Sequence, residues 1–146
     1  MAQYLQGQRP VMKPFVKLSL IICTLLCCVP SHAQTEGGNE VFVPITKYLT
    51  LGDAESLSAW FADNLEISVL SLPTNSSKSQ AKRILKSFFD SHTPRSFSVD
   101  HIAGRPNQKC AMGTLSAGGE SMNVTIFLSR KEHGYKIQQL KIERVQ

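Results

Sequence analysis

Asp63, Asp100 and His101 are the residues best suited to acid–base chemistry in this chain. His101 follows Phe97 and Val99 at even spacing, so on a strand all three side chains face one way, toward the core. A histidine placed there can act as a general base if a substrate comes within hydrogen-bond reach. The plainer reading is a core histidine bonded to a backbone carbonyl or to Tyr48. Asp100 faces the opposite side of that strand, which removes it as a direct partner, and Asp63 falls at the end of a helix-like segment. A single inward histidine is thin evidence of catalysis, so no catalytic residue is assigned beyond His101 as a candidate.

Other chemistries find less support. His92, His101 and His133 are widely spaced, with no pair at a ligand-like interval, so no metal site is expected. The serines fall in caps and turns, where local hydrogen bonding favours them over a nucleophile's role. Of the four cysteines, Cys23, Cys27 and Cys28 lie in an apolar N-terminal run, which leaves Cys110 in a strand-like segment. One cysteine makes no internal disulfide, and Cys110 reads as a small buried hydrophobe with no neighbour in sequence to lower its pKa. Asn75-Ser76-Ser77 and Asn123-Val124-Thr125 are glycosylation sequons by pattern only.

The N-terminal run has the layout of an export signal. Arg9, Lys13 and Lys17 precede a 12-residue apolar stretch, Leu18 to Val29, and Pro30 breaks it before Ser31-His32-Ala33. The stretch is short of the roughly 20 apolar residues a spanning helix needs. Cleavage is expected between Ala33 and Gln34, giving a periplasmic or secreted protein with no membrane attachment. Lipid anchoring is disfavoured because Leu26 and Cys27, not small residues, precede Cys27 and Cys28. The leader holds 3 of the 16 Lys and Arg and none of the 11 Asp and Glu, so the remainder has 13 basic against 11 acidic residues, a net +2. That balance gives no case for nucleic-acid binding. No cofactor is implied.

Residues 34–39 are polar and glycine-rich, a short tether, and 40–146 have the length of one domain with a single core. Pro44 suits a first helical turn, Ile45, Tyr48 and Leu49 follow at helical spacing, and Gly52 ends the helix. Asp53 caps a second helix with Glu55 in its first turn, and Leu57, Trp60, Phe61 and Leu65 mark that helix's buried stripe. Asn64 to Leu72 then alternates as a strand, and Pro73 to Ser76 reads as a turn. Ser77 and Gln80 form a capping box ahead of Ala81, Ile84, Leu85, Phe88 and Phe89, the clearest helical stripe in the chain. Lys78, Lys82, Arg83 and Lys86 occupy the opposite side, either a solvated face or a dock for an anionic partner.

After Pro94 the chain reads as four strands. The second, Gln108 to Ala117, closes at Gly118-Gly119, and in the third Met122, Val124, Ile126 and Leu128 alternate. In the fourth, apolar positions shift from Tyr135 and Ile137 to Leu140 and Ile142, which predicts a β-bulge at Gln138-Gln139. The expected order is α-α-β-α-β-β-β-β, an α+β fold with three N-terminal helices on a curved antiparallel sheet.

That order resembles the cone-shaped nuclear transport factor 2-like (NTF2-like) superfamily, and within it the DUF4783-like family of small exported bacterial proteins. The residues carrying the likeness are Ile45 with Gly52, Ser77 with Gln80-Ala81, Ile84-Leu85 and Phe88-Phe89. His101, Gly113-Thr114-Leu115 and Ile137 to Glu143 complete it. The resemblance covers nearly all of 40–145 and implies a cone with a mouth able to hold a ligand. It leaves two functions open. One is a non-catalytic ligand-binding or protein-interaction module, in which Tyr48, Trp60, Phe88, His101 and Phe127 line the pocket or contact a partner, including a second copy through the sheet. The other is a small isomerase- or dehydratase-like enzyme with His101 as base.

Overall fold

The computed structural model describes residues 39–146. The expected export leader at 1–33, its cleavage point and nearly all of the tether lie outside the described residues. Helix α1 runs Phe42–Leu51, two residues earlier than Pro44 alone suggests, and buries Phe42, Ile45 and Leu49 on one side. Gly52 closes it with φ 66°, donating its N–H to the carbonyls of Leu49 and Tyr48, a left-handed cap that glycine adopts at little cost. Asp53 then accepts from the backbone N–H of Ser56 at 2.9 Å and from its hydroxyl at 2.6 Å, capping α2, Ala54–Ser58. None of the described helices is long and apolar enough to cross a membrane.

Helix α2 is only five residues long, and the chain enters strand β1, Phe61–Val69, directly after Trp60. Leu57, Phe61 and Leu65 are four apart, a spacing that fits a helical period and an alternating strand equally well. Pairing decides it: Ile137 of the last strand donates its N–H to the Trp60 carbonyl at 2.6 Å. The expected turn at Pro73 to Ser76 is mostly strand β2, Thr74–Ser77, which pairs antiparallel with Asn64–Ile67. Asp63, expected at a helix end, is an exposed strand residue.

Helix α3, Lys78–Ser91, starts at Ser77, whose hydroxyl accepts from Gln80 N–H at 3.3 Å. It buries Ala81, Leu85, Phe88 and Phe89, the anticipated stripe, with Ile84 half-buried beside it. Strands β3 (Pro94–Arg105), β4 (Gln108–Ala117), β5 (Glu120–Lys131) and β6 (Gly134–Arg144) complete the chain. The observed order is therefore α-α-β-β-α-β-β-β-β among the described residues. All strands join one sheet in the order β2-β1-β6-β5-β4-β3. It is not wholly antiparallel, because β1 and β6 run parallel.

Side chains from the concave face fill the core: Leu115 of β4, Met122, Val124, Ile126 and Leu128 of β5, and Ile137, Leu140 and Ile142 of β6 are all at most 1% exposed. The bulge expected in β6 is present. Phe127 pairs with Gln139 and Leu128 with Ile137, so Gln138 is the extra residue that returns Leu140 and Ile142 to the core. A second bulge, not anticipated, lies in β3: Val99 pairs with Gly113 and His101 with Met112, leaving Asp100 unopposed. It turns His101 outward and brings half-buried Ile102 onto the core side, opposite buried Ala111.

Candidate functional site

The described surface carries a groove of about 470 Å³ along α3, between that helix and the end of β1. Gln80, Ile84, Ser87 and Ser91 recur at i, i+4, i+7 and i+11, a stripe one position back from the buried one and therefore at its rim. Val69, Ile84 and Phe88 form an apolar wall continuous with the core, faced by Gln80, Arg83, Ser87, Ser91 and His92. No carboxylate lines it.

Several local features hold these side chains in place. His92 caps α3 by donating its N–H to the Phe88 carbonyl at 2.8 Å, and its ring stacks on the Phe88 ring at 4.9 Å and 16°. The β4–β5 turn seats the same residue: Gly118 donates to the Thr93 carbonyl at 3.1 Å, and a Cβ there would sit 3.2 Å from the His92 ring. His92 Nδ1 is buried without a hydrogen-bond partner among the described residues, an unpaired polar atom at the groove's end. Leu70, next to Val69, has φ 54°, a left-handed conformation that costs a leucine roughly 1 kcal/mol. Its N–H donates to the Ile142 carbonyl at 2.9 Å, and Ser68 Oγ donates to the Ser71 carbonyl at 2.5 Å, so the bend after the groove wall is pinned on both sides.

Charge on α3 is unevenly matched. Lys82 pairs with Glu55 at 3.0 Å and Lys86 with Asp90 at 3.2 Å. Arg83, exposed on the groove's lip, makes no ion pair among the described residues. Its other side borders a smaller cleft that contains Asp53, Glu55 and Asp90.

Of the five pocket or interface candidates, Tyr48, Trp60, Phe88, His101 and Phe127, Phe88 alone lines this groove, joined by Arg83 from the basic side of α3. Tyr48 and Trp60 are half-buried and pack against the core from α1 and from the α2–β1 turn. Phe127 is half-buried on the convex face, between Cys110 of β4 and Gln139 of β6. His101, expected to point inward, is exposed opposite Met112, itself 46% exposed. The cause is the Asp100 bulge, which puts two consecutive side chains on one face. Asp100 is exposed too and accepts from the Thr114 hydroxyl at 2.8 Å, as expected for an outward residue. The structure therefore does not bring the five aromatic and histidine candidates together.

Asp63 and His133 border a separate groove of about 440 Å³ with Lys78, Lys131, Glu132 and Lys136, a mixture of both signs. Burial pushes the Cys110 thiol pKa up, which makes it a poorer nucleophile than a free cysteine. Among the described residues no three His, Cys, Asp or Glu side chains converge to hold a metal ion. Sequence reasoning named Arg83 only as part of a basic face open to an anionic partner, and missed Val69, Gln80, Ser87, Ser91 and His92 as its neighbours in a groove. The signal available for it was the second i, i+4, i+7, i+11 row on α3, which mixes small polar residues with Ile84.

Comparison with known proteins agrees on architecture. The sequence profile of the family described as Domain of unknown function (DUF4783) matches residues 42–143. No curated protein matches the chain. A DUF4783 family protein from Bacteroides ovatus superposes with TM-score 0.70 at 24% identity, covering 75% of this chain and 99% of that one. One from Bacteroides uniformis gives TM-score 0.67 at 21% identity, covering 70% and 95%. A protein of the NTF2-like family from Streptomyces avermitilis, named as a proposed dehydratase, gives 0.55 at 15% identity, covering 70% and 89%. At such identities the likeness speaks for the fold, an α+β, NTF2-like arrangement of a six-stranded curved sheet and few helices. The profile, spanning most of the sequence, goes further: this chain belongs to the DUF4783 family.

Proposed function

We propose that this protein is a non-catalytic binding domain that works outside the cytoplasm and holds a small ligand with an apolar body in the groove along α3. The observation that carries this reading is the groove's make-up: an apolar wall of Val69, Ile84 and Phe88 faced by neutral and cationic donors, with no carboxylate. Small-molecule sites combine apolar surface with a few placed polar groups, and about 470 Å³ lies within their range of volumes. The left-handed Leu70 beside the wall fits as well, since strained backbone persists where surrounding structure enforces it. An isomerase- or dehydratase-like role with His101 as base is the weaker reading. The imidazole is exposed on the convex face, outside the grooves, and the adjacent Asp100 carboxylate is already engaged by Thr114.

Native mass spectrometry of the full-length gene product purified from an exporting bacterial host tests the reading. Its mass at the N-terminus also reports whether the leader is cleaved after Ala33. The wild-type protein is expected to retain a small molecule that Ser87→Trp, which fills the groove from an exposed helix position, no longer holds. Equal retention by both proteins, or by neither, would refute it. The same spectrum reads the oligomeric state, and so tests pairing of two copies through the convex face that bears Met112 and Phe127.

A further inference from the structure

The groove's charge goes beyond the presence of a ligand and names its class. Gln80, Arg83 and Ser87 recur at i, i+3 and i+7 and so form one polar lip along α3, while Ile84, Phe88 and Val69 form the floor beside it. Of the four cations on the helix face, Lys82 and Lys86 pair with Glu55 and Asp90, and Lys78 lies outside the groove. Arg83 makes no ion pair among the described residues, and the carboxylates nearest it, Asp53, Glu55 and Asp90, line the cleft on its other side and not the groove. A guanidinium presents a planar fork of donors that matches an oxyanion, and the Gln80 amide and Ser87 hydroxyl flank it with further donors.

We infer that the ligand is a linear amphipathic monocarboxylate, its head on the Gln80–Arg83–Ser87 lip and its apolar chain along Ile84, Phe88 and Val69 toward His92. The inference rests on the groove being a binding site at all. A single negative charge follows from the count of partners, because the lining offers one permanent cation and no lysine, whereas a phosphate dianion calls for more. From Arg83 to His92 the helix rises about 14 Å at 1.5 Å per residue, which sets the length of chain the floor can cover. The stacked Phe88 and His92 rings end the track.

The test uses the full-length gene product from an exporting host, stripped of bound small molecules and labelled at Val and Ile methyl groups. Decanoate, decanol and decyl phosphate are titrated while the Val69 and Ile84 methyl resonances are followed. Decanoate is expected to shift both and to bind roughly tenfold or more tightly than decanol, with the difference abolished in Arg83→Gln. Equal affinity for decanoate and decanol, or an unchanged decanoate affinity in Arg83→Gln, would overturn the carboxylate assignment while leaving the groove a binding site. Tighter binding of decyl phosphate than of decanoate would overturn the monoanion assignment in the same way. If none of the three moves either methyl, the groove reading itself fails, and the inference with it.

Discussion

Replacing Gly113 with alanine should be among the most damaging single-methyl changes available in this domain. Gly113 pairs with Val99 next to the β3 bulge, where the strands approach closely. A Cβ at this position would lie 2.3 Å from the Ser98 carbonyl oxygen and 2.7 Å from two atoms of the Phe97 ring. The ring can turn aside, but the carbonyl belongs to the partner strand's backbone, so the β3–β4 ladder itself must spread. Overpacking costs about 1–3 kcal/mol where side chains can adjust, and a backbone clash belongs at the upper end, about 3 kcal/mol. For a domain of this size each kcal/mol lowers the melting temperature by roughly 4–8 °C, so a fall on the order of 10–25 °C is expected. Urea unfolding followed by circular dichroism should show a lower midpoint at unchanged slope. Gly119→Ala is the control: φ there is 79°, yet an added Cβ meets nothing within 4 Å, so only backbone strain of roughly 1 kcal/mol applies. A Gly113→Ala protein within about 0.5 kcal/mol of wild type, or no worse than Gly119→Ala, would refute the close approach of β3 and β4.

Three further outcomes follow from the same geometry. Asp53→Ala removes the α2 cap and should cost about 1 kcal/mol at neutral pH. The hydrogen bonds from Ser56 hold the Asp53 carboxyl below its usual range, so its contribution is present above the unfolded-state pKa and is lost as pH falls through the lowered folded value. The mutant and wild-type stability curves should therefore converge in acid, and a constant gap from neutral pH to well below pH 4 would contradict this. His101→Ala should leave stability within about 0.5 kcal/mol of wild type and leave groove binding unchanged, because the imidazole is exposed on the opposite face; loss of binding in a titration would reverse that assignment. Burial raises the Cys110 thiol pKa, so its alkylation by iodoacetamide at pH 7.5 should be slower than that of a free cysteine, and a faster rate would show an activated thiolate.

The readability of the sequence tracks how local each signal is. Strands β4 and β5, the Gly52 cap and the α3 stripe were legible because alternation or helical spacing runs unbroken through them. Strand β2 was not, since Thr74–Ser77 is polar and buries only Ser76; its pairing with β1 makes it a strand, not its composition. The parallel β1–β6 pair joins residues more than 70 apart, and no local pattern encodes it. The orientation of His101 could have been read. Ile137 to Leu140 is an apolar step of three that pointed to the β6 bulge, and Val99 to Ile102 is the same step in β3. Alternation from Phe97 puts His101 inward only where the strand is unbroken, and the bulge at Asp100 breaks it. The groove stayed hidden for a different reason: a rim of Gln, Arg and Ser beside a core stripe looks like any solvated helix face until Val69 closes its far side.

We propose that the groove along α3, and not His101, is where the protein meets its ligand. A crystal structure of the full-length gene product, purified from an exporting host and grown with decanoate, tests it most directly. Electron density for the decanoate chain is expected against Val69, Ile84 and Phe88, with its carboxylate at Arg83. Decanoate ordered elsewhere, with only solvent in the groove, would contradict it.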